Sequence, residues 1–247
     1  MPLTPEESAR YEWQMWAPEF GKDAQEKLRQ SSVLISRVGG VGGAVALYLA
    51  AAGVGRLVLA HAGNVRPSDL NRQILMTTDW IGRPRLESAR RRLSDLNPHV
   101  DVVTVPQNMT NELALEHVEF VDLVVDAAPL FSERFAMNAA AVRFRKPLIE
   151  CAMYHLTAQL TTIIPGQTPC LRCLYPDDPV HWKRQFPVLG ATAGVAGTLA
   201  AIEVIKTITG IGETLAGRLL TINLKSMEFR HLPIERLENC SVCGQLK

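Results

Sequence analysis

The chain has 247 residues, of which 47% are hydrophobic and 21% are charged, with 26 basic residues against 25 acidic ones. This composition is ordinary for a globular protein and excludes collagen, coiled coils and largely disordered chains. The net charge of +1 gives no overall field that favours nucleic acid or an anionic membrane, so we expect neither partner. Five cysteines are too few for a disulfide scaffold, and the polar N-terminal stretch carries no secretion signal, so we expect a cytoplasmic protein.

The first half of the chain alternates predicted strands with predicted helices. A charged helical lead-in covers residues 1–32 and is followed by a short apolar strand at 32–36 and a glycine turn at 39–43. A helix rich in Ala and Leu then ends at Gly53, and 57–60 has the pattern of a second buried strand. The same alternation predicts helices at 83–97, 111–119 and 132–145, and strands at 100–105, 123–126 and 147–150.

One apolar stretch, from Gly39 to Ala60, is as long as a membrane span. Its glycines and Arg56 interrupt the stretch, and it divides into a helical half and an extended half. We therefore predict that it belongs to a β-α-β unit inside a folded domain.

The rear of the chain has a different pattern. Residues 159–164 alternate like an antiparallel strand, 176–187 have the composition of a loop, and 191–209 form a small-residue helix. Residues 219–223 and 227–232 read as a closing hairpin. We predict one α/β domain with a Rossmann-like doubly wound, mostly parallel sheet and antiparallel C-terminal strands.

The glycine turn is a candidate phosphate site. Gly39, Gly40 and Gly42 lie between a strand and a helix, where phosphate can approach backbone N–H groups at the positive helix end. The usual dinucleotide pattern has a glycine where this chain has Arg37, and an acid near the position of His61. The glycines therefore predict nucleotide binding with two standard parts missing, or serve only to pack helix against strand.

The cysteines give a sharper signal. Cys170 with Cys173 and Cys240 with Cys243 form two C-x-x-C pairs, which supply the four thiolates of a closed structural zinc site. Their long separation is typical of a clip that joins the C-terminal tail to the body. Cys151 follows an apolar strand, and we interpret it as a buried small hydrophobe rather than a nucleophile.

A third cluster follows the second strand. Ser68-Asp69-Leu70-Asn71-Arg72-Gln73 and the nearby Arg85 carry two arginines that could hold a polyphosphate bidentately. Taken alone, these residues favour an ordinary polar surface over a phosphate site.

Taken together, these features resemble the MoeB/ThiF/HesA family, the bacterial relatives of ubiquitin-activating enzymes. The resemblance runs from about Arg10 to Gly244. The motifs that carry it are Val33-Leu34-Ile35, Tyr48 to Gly55, Leu70-Asn71-Arg72-Gln73, Glu87-Ser88-Ala89, Leu96-Asn97-Pro98, Pro165 to Cys173, Gly197-Thr198, Glu203-Val204-Ile205-Lys206 and Cys240 to Gly244.

This resemblance implies an activity. Family members bind ATP and Mg²⁺ and transfer AMP to a carboxylate, usually the C-terminal glycine of a ubiquitin-like sulfur-carrier protein. They commonly form homodimers in which an arginine of one subunit reaches the ATP of the other. The resemblance divides this chain into a nucleotide-binding half at 33–154 and a carrier or substrate half at 155–247. It implies catalytic roles for Arg72, Asp126 and Arg85, and nucleotide contacts by Gly39, Gly40, Gly42, Arg37, His61, Asn71 and Gln73.

The sequence departs from the family pattern mainly at the nucleotide site. In this chain Arg37 stands where the family has a glycine, and His61 and Gly63 stand where it has two acids. Asp69 replaces an asparagine, Arg85 replaces the phosphate-binding lysine, and Trp13 replaces an arginine of the lead-in. Pro129 replaces the magnesium-binding aspartate. Proline cannot bind a metal. The loop after Cys173 has no cysteine, which excludes a thioester intermediate there.

Two functions remain open on this sequence. In the first, the protein is a diverged adenylating enzyme in which Asp126 or Glu133 binds magnesium and the substrate is a sulfur-carrier tail, a peptide or a small acid. In the second, it keeps the fold, zinc and dimer as a binding or scaffold protein, or it performs a different chemistry. We expect Trp13, Trp16 and Trp182 to pack rather than to line a pocket, and His155 and His181 to be non-catalytic.

Overall fold

The structure is a computed structural model that describes residues 3–246. Its strands are β1 (Ser32–Ser36), β2 (Arg56–Ala60), β3 (Asp101–Val105), β4 (Leu123–Asp126), β5 (Leu148–Tyr154), β6 (Thr157–Ile163), β7 (Arg218–Asn223) and β8 (Glu228–Pro233). Its helices are α1 (Pro5–Arg10), α2 (Glu12–Met15), α3 (Gly21–Gln30), α4 (Gly40–Ala52), α5 (Arg85–Leu96), α6 (Asn111–Val118), α7 (Phe131–Arg143), α8 (Leu171–Leu174) and α9 (Gly190–Thr209).

The strands form one sheet in the order β3-β2-β1-β4-β5-β6-β7-β8. The pairs from β3 to β5 are parallel, and those from β5 to β8 are antiparallel. This confirms the predicted mixed α/β sheet. The strand order reverses between β1 and β4, and ligands of open α/β sheets bind outside the carboxyl ends of the strands at such a point.

Three elements differ from prediction. Helix α8 was not predicted. The lead-in is broken into three helices: Tyr11 separates α1 from α2, and Pro18 and Glu19, which has a φ of +66°, interrupt the chain before α3. Strand β5 continues to Tyr154, beyond the predicted end at residue 150, because its second half pairs with β6 from Cys151↔Leu160 to Tyr154↔Thr157. Cys151 thus lies inside a strand, and it is fully buried as expected.

Helix α9 is the one helix in the described part of the chain that is long and apolar enough to cross a membrane. It contacts α3, α4, β5 and β6, and its alanines at positions 193, 196, 200 and 201 are buried in the main core. A Cβ on Gly197 would lie 2.4 Å from the Val41 carbonyl oxygen, so α9 and α4 meet backbone to backbone. These contacts are those of a core helix. The Gly39 to Ala60 stretch divides into α4 and β2, as predicted.

Candidate functional site

A cavity of about 730 Å³ opens at the carboxyl ends of β1, β2 and β4 and extends over the antiparallel strands. Side chains of a strand alternate between its two faces. The buried apolar residues Leu160 and Leu220 therefore join the core that holds α9, whereas Glu150 and Gln159 line the cavity. One space thus connects the glycine turn with the polar face of the rear half.

The glycine turn forms one end of this cavity. Gly39 and Gly40 line it, and helix α4 begins at Gly40. A Cβ on Gly42 would lie 2.4 Å from the Arg37 carbonyl oxygen, so a side chain cannot fit there. The first-turn N–H groups of an α-helix have no partner within the helix. The turn therefore offers a positive helix end to an anion.

The backbone conformation of Arg37 explains why a glycine is usual at this position. Its φ is +62°, a conformation that favours glycine. The Arg37 guanidinium pairs with the Glu133 carboxylate through two hydrogen bonds of 2.7 and 2.6 Å, and both residues are buried. The positive charge that Arg37 adds to the turn is therefore compensated, and Glu133 is engaged by a guanidinium.

His61 directly follows β2 and lines the cavity beside Gly39. The ring is 6% exposed, and its Nδ1 has no hydrogen-bond partner among the described residues. Burial lowers the pKa of His61 well below its usual value, and the positive charges of Arg85 and Arg37 add to the effect. The imidazole is therefore neutral at pH 7, and its Nδ1 is buried without a partner among the described residues.

Asp69 organises the cluster after β2. Its carboxylate lies 3.6 Å from Arg72 and 3.4 Å from Arg85, and it accepts a 2.9 Å hydrogen bond from Gln73. Arg85 also donates to the Gln73 side chain and to the Gly63 and Asn64 carbonyls, and burial lowers its pKa. Arg72 and Gln73 line the cavity, whereas Arg85 supports them from behind. Asp69 thus compensates the Arg85 charge.

A second buried charge cluster lies on the cavity wall. Arg134 of α7 donates to Asp126 at 3.3 Å and to Glu150 at 2.9 Å, and Asp126 and Glu150 are register partners on β4 and β5. Burial raises the pKa of Asp126, and it raises the pKa of Glu150 to about 7. Asp126 is 0% exposed and also accepts from the Ala128 N–H, so Arg134 and the backbone occupy it.

The Arg37–Glu133 pair and the Arg134 cluster determine whether the site can bind magnesium. Pro129 lines the cavity without a ligand side chain, and its carbonyl accepts a 2.6 Å hydrogen bond from the Trp182 indole. Arg134 and Arg37 occupy the carboxylates of Asp126 and Glu133. As arranged, neither carboxylate fits the expected role of a free magnesium ligand.

An aromatic wall covers the middle of the cavity. Phe131 makes edge contacts with Tyr175 at 4.9 Å and with Trp182 at 6.0 Å between ring centroids. All three rings line the cavity, so the expectation that Trp182 only packs was wrong. Trp13 and Trp16 do not pack in the core either; they are 79% and 62% exposed and lie against each other. No sequence pattern indicated either placement.

The four paired cysteines converge, as predicted. Their Sγ atoms lie within 4.8 Å of one another, with Cys170–Cys240 at 3.6 Å and Cys173–Cys243 at 3.4 Å. A tetrahedral zinc site with Zn–S bonds of about 2.3 Å places its sulfurs about 3.8 Å apart. The cluster therefore fits a metal ion. Arg236 strengthens the clip, because it donates to the Gly166 carbonyl in the body and to the Cys243 carbonyl in the tail.

The structure brings most of the predicted nucleotide residues to one wall. Arg37, Gly39, Gly40, His61, Arg72 and Gln73 line the cavity. Gly42, Arg85 and Asp126 lie behind that wall, and Asn71 is exposed beside it, with its side chain accepting from Arg72. Sequence reasoning missed Arg134, Glu150 and Arg184, which also line the cavity. Acids at the ends of two adjacent parallel strands were the available signal for the Glu150 cluster.

A comparison with known families matches residues 11–242 to the profile described as the ThiF family. A HesA protein of Trichormus variabilis is 47% identical, with 98% of this chain and 91% of that protein covered. The sulfur carrier protein ThiS adenylyltransferase of Escherichia coli is 41% identical, covering 95% and 94% of the two chains. A sulfur carrier protein adenylyltransferase of Thermus thermophilus is 40% identical over 99% of this chain and 93% of that protein.

Solved structures show the same fold. The crystal structure of E. coli MccB with ATP superposes with a TM-score of 0.81 and 27% identity, covering 90% of this chain and 69% of that one. A structure of the same protein with succinimide gives a TM-score of 0.85 and 25% identity, over 95% of this chain and 74% of that one.

Proposed function

Because the chain belongs to the ThiF family, we propose that it binds ATP at the glycine turn and transfers AMP to a carboxylate. The observation that carries the proposal is the single cavity, which joins Gly39, Gly40 and Arg72 to a second compartment with room for an acyl group. A carboxylate oxygen attacks the α-phosphorus of ATP, an acyl-phosphate bond forms, and pyrophosphate leaves. Two relatives named as adenylyltransferases at 40–41% identity support this reaction.

Each wall has a distinct part in the proposal. The positive end of α4 and the Arg72 guanidinium stabilise negative charge on the phosphates. The Asp69 carboxylate, the Ser68 carbonyl and the Asn71 side chain hold Arg72 in place. Gln73 and Arg85 contact the same Asp69 carboxylate. His61 offers its neutral Nδ1 to a nucleotide hydroxyl group. No step is assigned to a magnesium ion held by Asp126 or Glu133, because their carboxylates are paired with arginines.

The carboxylate substrate enters over the antiparallel strands. The cavity continues past Gln159 to Asn223 and Arg230 on β7 and β8, and β8 is an exposed edge strand. An opening of this kind accommodates a chain end as well as a small acid. The two adenylyltransferase relatives act on sulfur carrier proteins, which supports a sulfur-carrier tail as one candidate beside a peptide or a small carboxylate.

The remaining assignments concern structure and assembly. We assign zinc to the four-cysteine clip and a structural role to it, because its four ligands leave no open position. A homodimer is supported by the exposed apolar side chains Tyr48 on α4 and Ile202 on α9, which are 50% and 46% exposed. A cytoplasmic location and the division into nucleotide and substrate halves stay predictions.

The proposed reaction is tested by pyrophosphate exchange. Zinc-loaded protein is incubated with ATP, labelled pyrophosphate and candidate carboxylates, and carboxylate-dependent label in ATP is measured. Adenylation is supported if Arg72→Ala abolishes the exchange and Arg83→Ala, on the same exposed segment, does not change it. ATP binding without exchange for any carboxylate contradicts it.

One observation favours the second candidate function. Glu133, Asp69, Asp126 and Glu150 compensate three arginines around the cavity, Arg37, Arg85 and Arg134, which leaves less free positive charge for the phosphates of ATP. A non-adenylating binding protein would keep the cavity, the cysteine clip and the fold but would bind no nucleotide. Calorimetry with ATP separates the two functions.

A further inference from the structure

The middle compartment of the cavity, at β5, contains an acidic group with an unused acceptor. Glu150 is 1% exposed and lines the cavity. Its Oε1 accepts from Arg134 at 2.9 Å and from Gln159 at 3.4 Å, whereas its Oε2 is buried with no hydrogen-bond partner in the described chain. An unpartnered buried carboxylate oxygen is costly, so a ligand that donates to it gains affinity.

Charge and chemistry around this oxygen favour a cationic donor. Asp126 and Glu150 supply two carboxylates for the single guanidinium of Arg134, so the ionised cluster has excess negative charge. The other groups facing Glu150 are uncharged at neutral pH: the Gln159 amide, the Tyr175 hydroxyl and the Cys151 thiol. The Phe131, Tyr175 and Trp182 rings line the same compartment, and aromatic faces attract cations.

The cavity walls near the glycine turn and at β5 therefore differ in charge. Arg72 and Arg184 line the space near the glycine turn, whereas at β5 Glu150 and Asp126 share the single guanidinium of Arg134. Ser36, Asp126 and Glu150 are successive register partners on β1, β4 and β5, so Glu150 lies two strand spacings, about 10 Å, from the end of β1. An acyl substrate whose cationic group lies several bonds from its carboxylate, or the last residues of a chain, spans that distance.

From this arrangement we infer that Glu150 binds a positively charged nitrogen of the acyl substrate while the substrate's carboxylate faces the nucleotide. The inference rests on the proposed function and names its substrate class: carboxylates that carry an ammonium or guanidinium group. Two sources share this chemistry, a free amino acid and a polypeptide tail with a basic side chain near its C-terminus. Glu150 acts as a specificity residue, and it takes no proton in the transfer.

Matched probes test the inference. Free amino acids with a distant cationic group are compared with uncharged analogues: lysine with norleucine, arginine with citrulline, and 6-aminohexanoate with hexanoate. Two N-acetylated heptapeptides ending in Gly-Gly are also compared, one with lysine and one with norleucine directly before the two glycines. Pyrophosphate exchange measures activation, saturation-transfer NMR measures binding of each probe without turnover, and calorimetry measures ATP affinity.

We expect the charged member of at least one set of pairs to exchange at least tenfold faster than its uncharged partner. The amino-acid set responds if the source is a free amino acid, and the peptide set responds if it is a chain end. Glu150→Gln should reduce this preference to about that of the uncharged partner, and Glu150→Asp should retain part of it. ATP affinity should be unchanged in both variants, and Glu116→Gln on the exposed face of α6 is the matched control.

The inference is overturned if neither set shows a preference for charge in exchange or in NMR binding, or if Glu150→Gln keeps the preference with its fold intact. If no probe exchanges but NMR shows Glu150-dependent binding of the charged members, the adenylation proposal fails and the cation site stands. If Glu150→Gln unfolds, Glu150→Asp and wild-type NMR binding still decide the outcome.

Discussion

The guanidinium of Arg37, at the position where a nucleotide-binding turn usually has glycine, is held by the buried carboxylate of Glu133 at 2.6 and 2.7 Å. Arg37 adopts a φ of +62°, so the pair stabilises a backbone conformation that an arginine rarely takes. Glu133 projects from the first turn of α7, and the pair therefore ties the glycine turn to the helix beside it.

This pair makes a stability prediction. Arg37→Ala leaves Glu133 buried and unpaired, and we expect it to lower the free energy of unfolding by about 3–5 kcal/mol. The double variant Arg37→Gly with Glu133→Gln should recover most of the loss, because glycine accepts the positive φ and the carboxylate charge is removed. Urea denaturation measures both. Lys225→Ala, an exposed residue, is the control, and equal losses in the single and double variants would refute the account.

Glu150 makes a pH prediction. Its pKa is raised from 4.5 to about 7 in the folded protein, so the folded state holds a proton that the unfolded state has already released. The contribution of Glu150 to stability is therefore fully present below pH 4.5 and is lost as the pH rises through 7. The loss is about 3 kcal/mol at 1.36 kcal/mol per pKa unit.

Chemical denaturation of wild type and Glu150→Gln from pH 4.5 to pH 8 measures this contribution, because the other titrating groups are common to both proteins. We expect the wild type to lose stability relative to the variant as the pH rises. Parallel curves for the two proteins would show that Glu150 titrates normally in the folded state.

The cysteine clip makes a metal prediction. Gently purified protein should contain about one zinc ion per chain, by the four-thiolate geometry. Cys173→Ser should lose the metal and expose the tail after Arg236 to proteolysis, whereas Cys151→Ala, a buried thiol outside the clip, should keep both. Metal analysis and limited proteolysis check this, and a zinc-free protein with a protected tail would contradict it.

Association makes a further prediction. Light scattering at micromolar concentration should give twice the 27.2 kDa mass of one chain. Ile202→Lys on the exposed side of α9 should shift the protein toward the monomer, because it adds a charge to an apolar contact surface. Lys225→Ala serves as the control here too, and a wild-type mass of one chain would refute the homodimer.

The sequence predicts those features of the fold and the site that depend on interactions between residues close together in the chain. The alternation of strands and helices is a local pattern, and it gave the sheet and the position of the glycine turn. The paired cysteines were identifiable because each pair is a short motif with one dominant chemistry. The Arg37–Glu133 pair and the Asp126–Arg134–Glu150 cluster join residues from separate elements, and their partners depend on side-chain directions that spacing does not determine.

Some residues could not be placed because burial depends on tertiary contacts. Trp182 lies in a segment that reads as a loop, yet its indole donates to the Pro129 carbonyl and its ring lines the cavity. Arg85 has the charge of the phosphate-binding residue that it replaces, but Asp69, Gln73 and two backbone carbonyls hold it behind the wall.

The most direct test of nucleotide binding at the glycine turn is calorimetric titration of zinc-loaded protein with ATP, with and without magnesium, for wild type, Arg72→Ala and Arg83→Ala. A lost charge-assisted hydrogen bond costs about 1.5–3 kcal/mol, so we predict wild-type binding that Arg72→Ala weakens at least tenfold and that Arg83→Ala leaves unchanged. No wild-type binding in either condition, or equal affinity in Arg72→Ala, would contradict the assignment of this cavity to ATP.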